Sequence, residues 1–340
     1  MSEKRKTDYL KITLSAIFAV CCVLFVWILK QPRFSSIVPR LLIASVIALL
    51  SELLLLKLFK GKGFIKRTVK VILLFAVNIS VFSSAVIYSF APAVILQPHS
   101  DIEAYNALHE VEAAEEITFE GSEGKINGWF YEAFGENAPT VLYFYGNYET
   151  ASTRLLNLSQ NYSASAFDGC NFAVFDYPAY GNSEGRCTDS SILQFSLDVY
   201  DELIKRTDNI IVLGYSVGTG PACYLASQRD VRALILYAPY ADGSDLYNNV
   251  IDIFHGPLEK LVAFDVNSKE YAASVTSPTL ILASEKDELI PLASSTELID
   301  KFAGKCEYVR AEGITHNQFL LSDFVREETE KFITEVTENE

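Results

Sequence analysis

The chain of 340 residues carries 28 Lys and Arg against 43 Asp and Glu, giving a formal net charge of −15, and 50% of its residues are hydrophobic. This length accommodates one large or two ordinary domains, and so acidic a protein is poorly suited to binding nucleic acid, whose phosphates it would repel. The charge is unevenly divided, because residues 1–96 contain 13 bases and 3 acids while the remainder contains 15 bases and 40 acids. The sequence therefore predicts two parts with different roles.

Six cysteines are present, with neither Cys-x-x-Cys spacing nor a cluster of histidines around them. We therefore expect no metal site and no cofactor. For the four cysteines in the acidic part, the spacing does not choose between disulfides and free thiols: Cys170, Cys187, Cys223 and Cys306.

Three apolar segments occupy the basic part of the chain. Residues 12–29 have no charge and are long enough to cross a bilayer. A secretory signal peptide is the alternative for this segment, but no small-residue cleavage site follows it. Residues 41–56, interrupted by Glu52, and residues 71–91 are the second and third segments. The sequence therefore predicts a membrane anchor over residues 1–96 with about three transmembrane helices.

Basic residues in the flanking segments predict the orientation of such an anchor. Ten lie before the first segment or between the second and third, and three lie between the first and second. This pattern predicts an integral plasma-membrane protein whose acidic domain lies outside the cytoplasm. If residues 41–56 do not cross, the acidic domain falls on the cytoplasmic side instead.

The acidic part begins with a polar segment, residues 97–116, that is rich in Ala and Glu and predicts a linker helix. Gly121 and Gly124 then separate two short apolar runs, which is typical of a β-hairpin. Further on, apolar runs alternate with helical stretches such as 191–205, ending in a helix at 316–335. The predicted strands of this region are 140–145, 172–176, 210–213, 233–237, 279–283 and 307–309. This order predicts an α/β fold over residues 117–340, with a mostly parallel, doubly wound sheet.

The strand at 210–213 runs into Gly214-Tyr215-Ser216-Val217-Gly218, followed by small residues. The pattern Gly-x-Ser-x-Gly between a buried strand and a helix is typical of a nucleophile elbow. A glycine-rich turn without chemistry is the alternative reading of the pentapeptide alone. At the carboxyl end of a strand, Ser216 would be exposed to a substrate, with free N–H groups of the helix beside it.

Two further residues follow predicted strands of the same sheet. Asp287 comes after the strand at 279–283, and His316 after the strand at 307–309. A serine hydroxyl attacks only when a neutral imidazole takes its proton, and a carboxylate fixes the tautomer of that imidazole. The order Ser, Asp, His therefore predicts a catalytic triad of Ser216, Asp287 and His316. The alternatives to the last two are Glu285 or Glu288 as the acid, and His99, His109 or His255 as the base.

The developing oxyanion of such a reaction needs two N–H donors. Val217 directly follows the serine and is the first expected donor. The second is expected from the loop after the strand at 140–145, with the N–H of Asn147 preferred to that of Tyr148.

Five stretches now carry a resemblance: FYGN, FDYPAYGNSEG, GYSVGTGPA, SEKDELIP and GITHNQF. They resemble the successive motifs of the α/β-hydrolase superfamily, and most closely its membrane-associated serine hydrolases, which include depalmitoylase-like and serine-aminopeptidase-like members. The resemblance covers residues 117–333 and places the nucleophile, acid and base on Ser216, Asp287 and His316. Two departures occur, because Tyr145 stands where the family usually has the His of a His-Gly pair, and Ala283-Ser284 replaces a second His-Gly.

Residues 239–278 are enough for one helix and a small lid. Their aromatic residues could line an acyl pocket, although aromatic residues in such a segment more often pack in the core: Tyr240, Tyr247, Phe254 and Phe264. We expect a membrane-anchored serine hydrolase that cleaves ester, thioester or lipid acyl bonds through an acyl-enzyme. Its substrate would be an acylated small molecule, a lipid or an acylated protein, and its partner a membrane. The alternatives are a non-catalytic, membrane-tethered interaction domain and a serine peptidase.

Overall fold

The computed structural model describes residues 37–58, 64–248, 262, 264 and 266–338. The chain divides into two compact units, Met1–Val94 and Ile95–Glu340. The predicted domain limits at 96, 116 and 117 remain an interpretation of the sequence.

The first unit contributes two helices, α1 (Ile37–Leu58) and α2 (Phe64–Ile95). Residues 41–56 and 71–91 lie on them, while the predicted span 12–29 lies outside the described residues. Within the described parts of the chain, no helix has the length and sustained apolarity that a bilayer crossing requires. In α1, for example, the uncharged stretch between Arg40 and Glu52 is shorter than the roughly 20 residues of a transmembrane helix.

This finding corrects one prediction. The expected localisation, an integral plasma-membrane protein with its acidic domain outside the cytoplasm, is wrong. The orientation inferred from the basic flanking residues depended on the predicted spans and is withdrawn with them.

The second unit begins with a short helix, α3 (Ile102–Leu108), whose first turn is capped by the carboxylate of Asp101 at 2.9 Å from the N–H of Ala104. The helix is shorter than the one predicted for 97–116. The reason is that the hairpin is longer than its apolar runs suggested, since pairing extends to Ala114 opposite Tyr131. Residues 109–113 therefore turn the chain into the sheet.

An eight-stranded sheet forms the centre of the second unit, in the order β1-β2-β4-β3-β5-β6-β7-β8. The first two strands form the predicted antiparallel hairpin, and β3 to β8 run parallel. The strands are β1 Ala114–Gly121, β2 Gly124–Tyr131, β3 Thr140–Phe144, β4 Asn171–Phe175, β5 Ile210–Tyr215, β6 Ala233–Tyr237, β7 Thr279–Ala283 and β8 Cys306–Arg310. The prediction of a mostly parallel sheet is confirmed, with strand ends that differ by a residue or two.

Every residue of β3 to β7 is buried, so both faces of the central sheet are covered. The remaining helices are α4 Ala151–Ser159, α5 Asp189–Leu203, α6 Thr219–Gln228, α7 Gly243–Asn248, α8 Ser268–Ala272, α9 Leu292–Glu297 and α10 Asp323–Glu338. The region predicted as one helix over 316–335 is a 3-10 helix, His316–Leu321, followed by α10. Four thiols in this unit are free: Cys170, Cys187, Cys223 and Cys306.

The strand order decides which loops meet. Because β3 and β5 are neighbours, the loop after Phe144 lies beside the turn after Tyr215. Because β7 and β8 are neighbours in turn, the segments that carry Asp287 and His316 leave the same edge of the sheet. The carboxyl ends of parallel strands are where functional groups of such sheets gather.

Candidate active site

The turn after β5 is tight, and its backbone is unusual at one residue. Ser216 has φ +55°, a left-handed conformation that is rare for a residue with a Cβ. A Cβ added at Gly214 would lie 2.7 Å from the Cα of Thr219, and one at Gly218 would lie 2.1 Å from the carbonyl oxygen of Phe144. Both glycines are therefore required by close backbone approach, and the serine is raised above the end of the strand.

Three side chains that are far apart in sequence form a chain of hydrogen bonds. The Oγ of Ser216 is 2.9 Å from Nε2 of His316, whose Nδ1 is 2.8 Å from Oδ2 and 3.0 Å from Oδ1 of Asp287. The carboxylate is itself fixed, because its Oδ1 accepts the N–H groups of Leu289 and Ile290 at 2.8 Å each. The structure thus brings together the serine, base and acid that the sequence suggested.

The imidazole of His316 is held from several sides, and the residue is only 3% exposed. The ring of Tyr215 stacks on it, with centroids 5.2 Å apart and planes inclined by 25°. The hydroxyl of Tyr215 donates to the carbonyl of His316 at 2.8 Å, and the backbone N–H of His316 donates to Glu288 at 3.1 Å. These contacts leave Nε2 directed at the serine.

The alternative acids and bases are placed elsewhere. Glu285 accepts from Arg310 and from the N–H of Gly313, and Glu288 accepts a backbone N–H instead of touching the imidazole. His99 bonds through Nδ1 to the carbonyl of Gln97. His109 packs on Trp129 with ring centroids 5.0 Å apart, and His255 lies outside the described residues.

The two expected oxyanion donors lie on neighbouring turns. Val217 is in the short 3-10 helix that begins with the serine, and it is buried. Asn147 lies in the loop after β3, and its side-chain oxygen accepts the N–H of Tyr148 at 3.1 Å. That bond engages the N–H of Tyr148, the less preferred of the two candidates for the second donor.

A contact that the sequence did not predict lies behind this loop. The hydroxyl of Tyr145 donates to Oδ1 of Asp176 at 3.3 Å, and the N–H of Ala151 donates to the same oxygen at 2.8 Å. Burial raises the pKa of Asp176 from 3.8 to about 6, although the hydrogen bonds that the carboxylate accepts act in the opposite direction. The signal was available in the stretch FDYPAYGNSEG, but the partner of its aspartate could only be seen in three dimensions.

A cavity of about 500 Å³ opens at the serine. Its apolar side chains are Tyr148, Leu289, Leu320 and Leu321, and its polar wall includes Glu149, Arg154, Asn157 and Asn317. Arg154 forms an ion pair with Glu149, and the hydroxyl of Tyr143 donates to the same carboxylate at 3.2 Å. The site thus offers an apolar surface beside a polar wall that is neutral overall.

Of the aromatic residues suggested as an acyl pocket, the three that the structure describes do not line this cavity. Tyr240 and Phe264 are fully buried, Tyr247 is nearly so, and Phe254 lies outside the described residues. The hydroxyl of Tyr240 is directed at the carbonyl of Val217, 3.4 Å away, so this ring supports the elbow from below. The described parts of the chain contain no group of three or more His, Cys, Asp or Glu side chains that could hold a metal ion.

The chain is similar in sequence to several known proteins. No protein-family model matches the chain. An uncharacterized protein of Mycobacterium tuberculosis (strain ATCC 25618 / H37Rv) is 28% identical over 233 residues, which cover 66% of this chain and 80% of the relative. The human alpha/beta hydrolase domain-containing protein 17B is 26% identical over 171 residues, covering 49% of this chain and 57% of the relative.

The fold also resembles that of solved structures. The esterase Pf2001 of Pyrococcus furiosus superposes with a TM-score of 0.56 at 15% sequence identity, covering 72% of this chain and 97% of the esterase. At that level of identity the likeness concerns the fold.

Proposed function

This chain belongs to the α/β-hydrolase superfamily, and from that premise we propose that it is a serine hydrolase of the esterase type. In this proposal Ser216 is the nucleophile, His316 the general base and Asp287 the residue that orients the imidazole. The N–H groups of Val217 and Asn147 bind the oxyanion. The substrate is an ester or thioester of an apolar acyl group.

One observation carries the proposal: hydrogen bonds of 2.9 and 2.8 Å run from Ser216 through His316 to Asp287. The serine at the start of this chain of bonds has a left-handed backbone conformation. With Nδ1 protonated and bonded to the carboxylate, Nε2 is free to take the hydroxyl proton as Oγ attacks the acyl carbon. The same proton is then given to the departing alcohol or thiol. Water then gives a proton to Nε2 and attacks the acyl carbon of the acyl-enzyme. The serine Oγ leaves as it takes that proton back, and the carboxylic acid is released.

The cavity supports an apolar acyl group. Its volume of about 500 Å³ is in the ordinary range for small-molecule sites, and leucines form much of its wall. Leu321 is 84% exposed and Leu289 42% exposed, so a bound chain would remove both from water. Acylated small molecules, lipids and acylated proteins all present such a chain, and the choice among them is part of the proposal to be tested.

The geometry gives less support to a serine peptidase that holds a substrate amine. Such an enzyme needs an unpaired carboxylate near the nucleophile, and Glu149 is the acid among the cavity residues. Its carboxylate is already neutralised by Arg154. A non-catalytic interaction domain is disfavoured for a different reason, since such a domain has no need of a strained serine bonded to an oriented imidazole.

Labelling with a fluorophosphonate probe tests the nucleophile. We expect the full chain to be labelled and Ser216→Ala to lose labelling completely. Ser227→Ala is the matched control, because that hydroxyl lies on α6 and bonds to the carbonyl of Tyr224, and it should be labelled like the wild type. Labelling that survives in Ser216→Ala would remove this serine from its role.

Turnover separates the enzyme from an inert domain. A series of p-nitrophenyl esters from acetate to dodecanoate should be hydrolysed by the wild type and not by Ser216→Ala. Absence of any Ser216-dependent hydrolysis across the series, together with absence of labelling, would favour the interaction domain.

A further inference from the structure

The loop Tyr145–Tyr148 departs from the usual motif of the family at its first residue, where a tyrosine replaces histidine. We propose that Tyr145 and Asp176 form a positioning pair that holds this loop, and with it the N–H of Asn147, against the nucleophile elbow. The proposal rests on the serine hydrolase function proposed above. It assigns to two residues outside the triad a role in transition-state stabilisation.

The tyrosine is fixed at its ring and at its backbone. Its hydroxyl donates to Asp176 at 3.3 Å and accepts the backbone N–H of Tyr177 at 3.1 Å. Its carbonyl accepts the hydroxyl of Tyr177 at 2.8 Å. Burial raises the pKa of Tyr145, so its hydroxyl keeps the proton that it donates. Both ends of the residue are thus tied to the segment after β4.

Asp176 lies in that segment, and its carboxylate is held by several hydrogen bonds. Its carboxylate accepts from the N–H of Ala151 at 2.8 Å and from that of Asn182 at 3.4 Å, in addition to the tyrosine hydroxyl. Gly181 has φ +49°, and a Cβ there would lie 1.9 Å from Oδ2 of the same carboxylate. The turn after β4 is therefore shaped around Asp176, which is 1% exposed. The neighbouring titratable groups are His99, Tyr145, Tyr177 and Tyr180.

The loop held in this way touches the elbow directly. A Cβ on Gly218 would lie 2.6 Å from the carbonyl oxygen of Tyr145, and one on Gly146 would lie 3.4 Å from the Cβ of Ser216. The Cβ on Gly146 would also lie 3.0 Å from Cδ1 of Tyr215, so the loop packs closely against the residue before the serine and, at Gly218, against the backbone of the elbow. Asn147 lies two residues after Tyr145. A small shift of Tyr145 must therefore move the N–H of Asn147 relative to the serine.

The expected consequence is kinetic. Oxyanion donors act when their hydrogen bonds form at about 2.7–3.1 Å to an oxygen that carries negative charge only in the transition state. A displaced donor therefore weakens transition-state binding more than substrate binding. We expect Tyr145→Phe, which deletes the hydroxyl and keeps the ring, to lower kcat about tenfold while KM changes less than twofold.

The test uses the full chain and a short p-nitrophenyl ester. Tyr162→Phe is the matched control, because its buried hydroxyl donates at 2.9 Å to the carbonyl of Cys170, away from the site, and should leave kcat unchanged. Asp176→Asn is the second variant and is expected to reproduce the loss in kcat. The rate of fluorophosphonate labelling should fall in parallel, since that reaction also develops charge on the oxygen bound by the two N–H groups.

The outcomes are distinguishable. If Tyr145→Phe and Asp176→Asn turn over like Tyr162→Phe while Ser216→Ala is inactive, the positioning pair is wrong and the proposed function stands. If the wild type has no Ser216-dependent turnover, both are wrong. If both variants fail to fold while Tyr162→Phe folds, the pair serves folding and the positioning role is overturned.

Discussion

The hydroxyl of Tyr215 donates a 2.8 Å hydrogen bond to the backbone carbonyl of His316, a residue 101 positions further along the chain. The two rings also stack at 5.2 Å. The residue that precedes the proposed nucleophile therefore fixes the residue proposed to activate it. One side chain links the position of the elbow to that of the imidazole, across two strands of the sheet.

Removing this hydroxyl should affect both stability and rate. Tyr215→Phe retains the stacked ring and leaves the carbonyl of His316 without its donor, so we expect a loss of about 1 kcal/mol in unfolding free energy. We also expect kcat to fall threefold to tenfold as the imidazole gains freedom. Urea denaturation and ester hydrolysis measure the two effects. Tyr237→Phe, whose hydroxyl lies 2.6 Å from that of Thr329, should lose stability alone.

The acid of the proposed triad can be separated from its acidic neighbours. Asp287→Asn keeps an oxygen for the N–H groups of Leu289 and Ile290 but no longer stabilises the charged imidazole, so kcat should fall by about 10³ or more. Glu285→Gln is the control and should stay within twofold of the wild type, because that carboxylate pairs with Arg310. A larger loss in Glu285→Gln than in Asp287→Asn would reassign the acid.

Asp176 makes stability depend on pH. Its pKa of about 6 in the folded chain exceeds the ordinary 3.8, so the folded state holds the proton more tightly than the unfolded state does. The stabilising contribution is complete below about pH 4 and is lost as the pH rises through about 6. One pKa unit corresponds to 1.36 kcal/mol, so the unfolding free energy lost over the whole range is about 3 kcal/mol.

The measurement is a comparison across pH. Between pH 4 and pH 7, the unfolding free energy of the wild type should fall by about 2 kcal/mol relative to that of Asp176→Asn. Asp323→Asn is the control, because that residue lies on the surface at the start of α10. A difference that stays constant over this range would contradict the effect of burial on Asp176.

The elbow should tolerate no side chain at Gly218. A Cβ there would meet the carbonyl oxygens of Phe144 and Tyr145, and backbone atoms of a central strand cannot move cheaply. We expect Gly218→Ala to lose several kcal/mol of stability and most of its fluorophosphonate labelling. Gly135→Ala is the control: it also has positive φ, at +78°, but faces open space, so it should cost about 1 kcal/mol and leave labelling intact.

The leucines of the cavity predict a preference among acyl chains. Leu289→Ser together with Leu321→Ser should raise KM for octanoate esters at least fivefold while changing KM for acetate esters less than twofold, because only the longer chain covers both side chains. Steady-state kinetics on the two esters provide the measurement. Leu193→Ser on α5, outside the cavity, is the control. Equal effects on both esters would place the acyl chain elsewhere.

Local patterns were sufficient for much of the fold. The buried apolar runs at 233–237 and 279–283 predicted β6 and β7 to the residue, and the order of runs and helices predicted a mostly parallel sheet. The triad candidates could be chosen because residues that follow parallel strands meet at one edge. Their roles remain predictions, although the structure places Ser216, Asp287 and His316 within hydrogen-bonding distance of one another.

Other features depend on contacts that no local pattern encodes. The bond between Tyr145 and Asp176 joins two loops 31 residues apart, and the sequence indicated only that a familiar histidine was missing. The sequence left two roles open for the aromatic residues of 239–278, and Tyr240 and Phe264 take the role of core residues. The predicted plasma-membrane localisation is wrong for another reason, since no helix among the described residues has the length and apolarity that a crossing requires, while the predicted span 12–29 lies outside those residues.

The side chain of Asn147 also accepts the backbone N–H of Gln97, at 3.1 Å, and that N–H lies within 2.9 Å of the hydroxyl of Tyr180. Choosing where to cut the gene for a recombinant fragment is therefore not a neutral decision. A fragment that starts at Asp101, the cap of α3, would retain all eight strands of the sheet. It would lack the hydrogen bond that Gln97 donates to Asn147 in the loop beside the serine. Fragments meant for crystallisation or screening should begin upstream of Gln97.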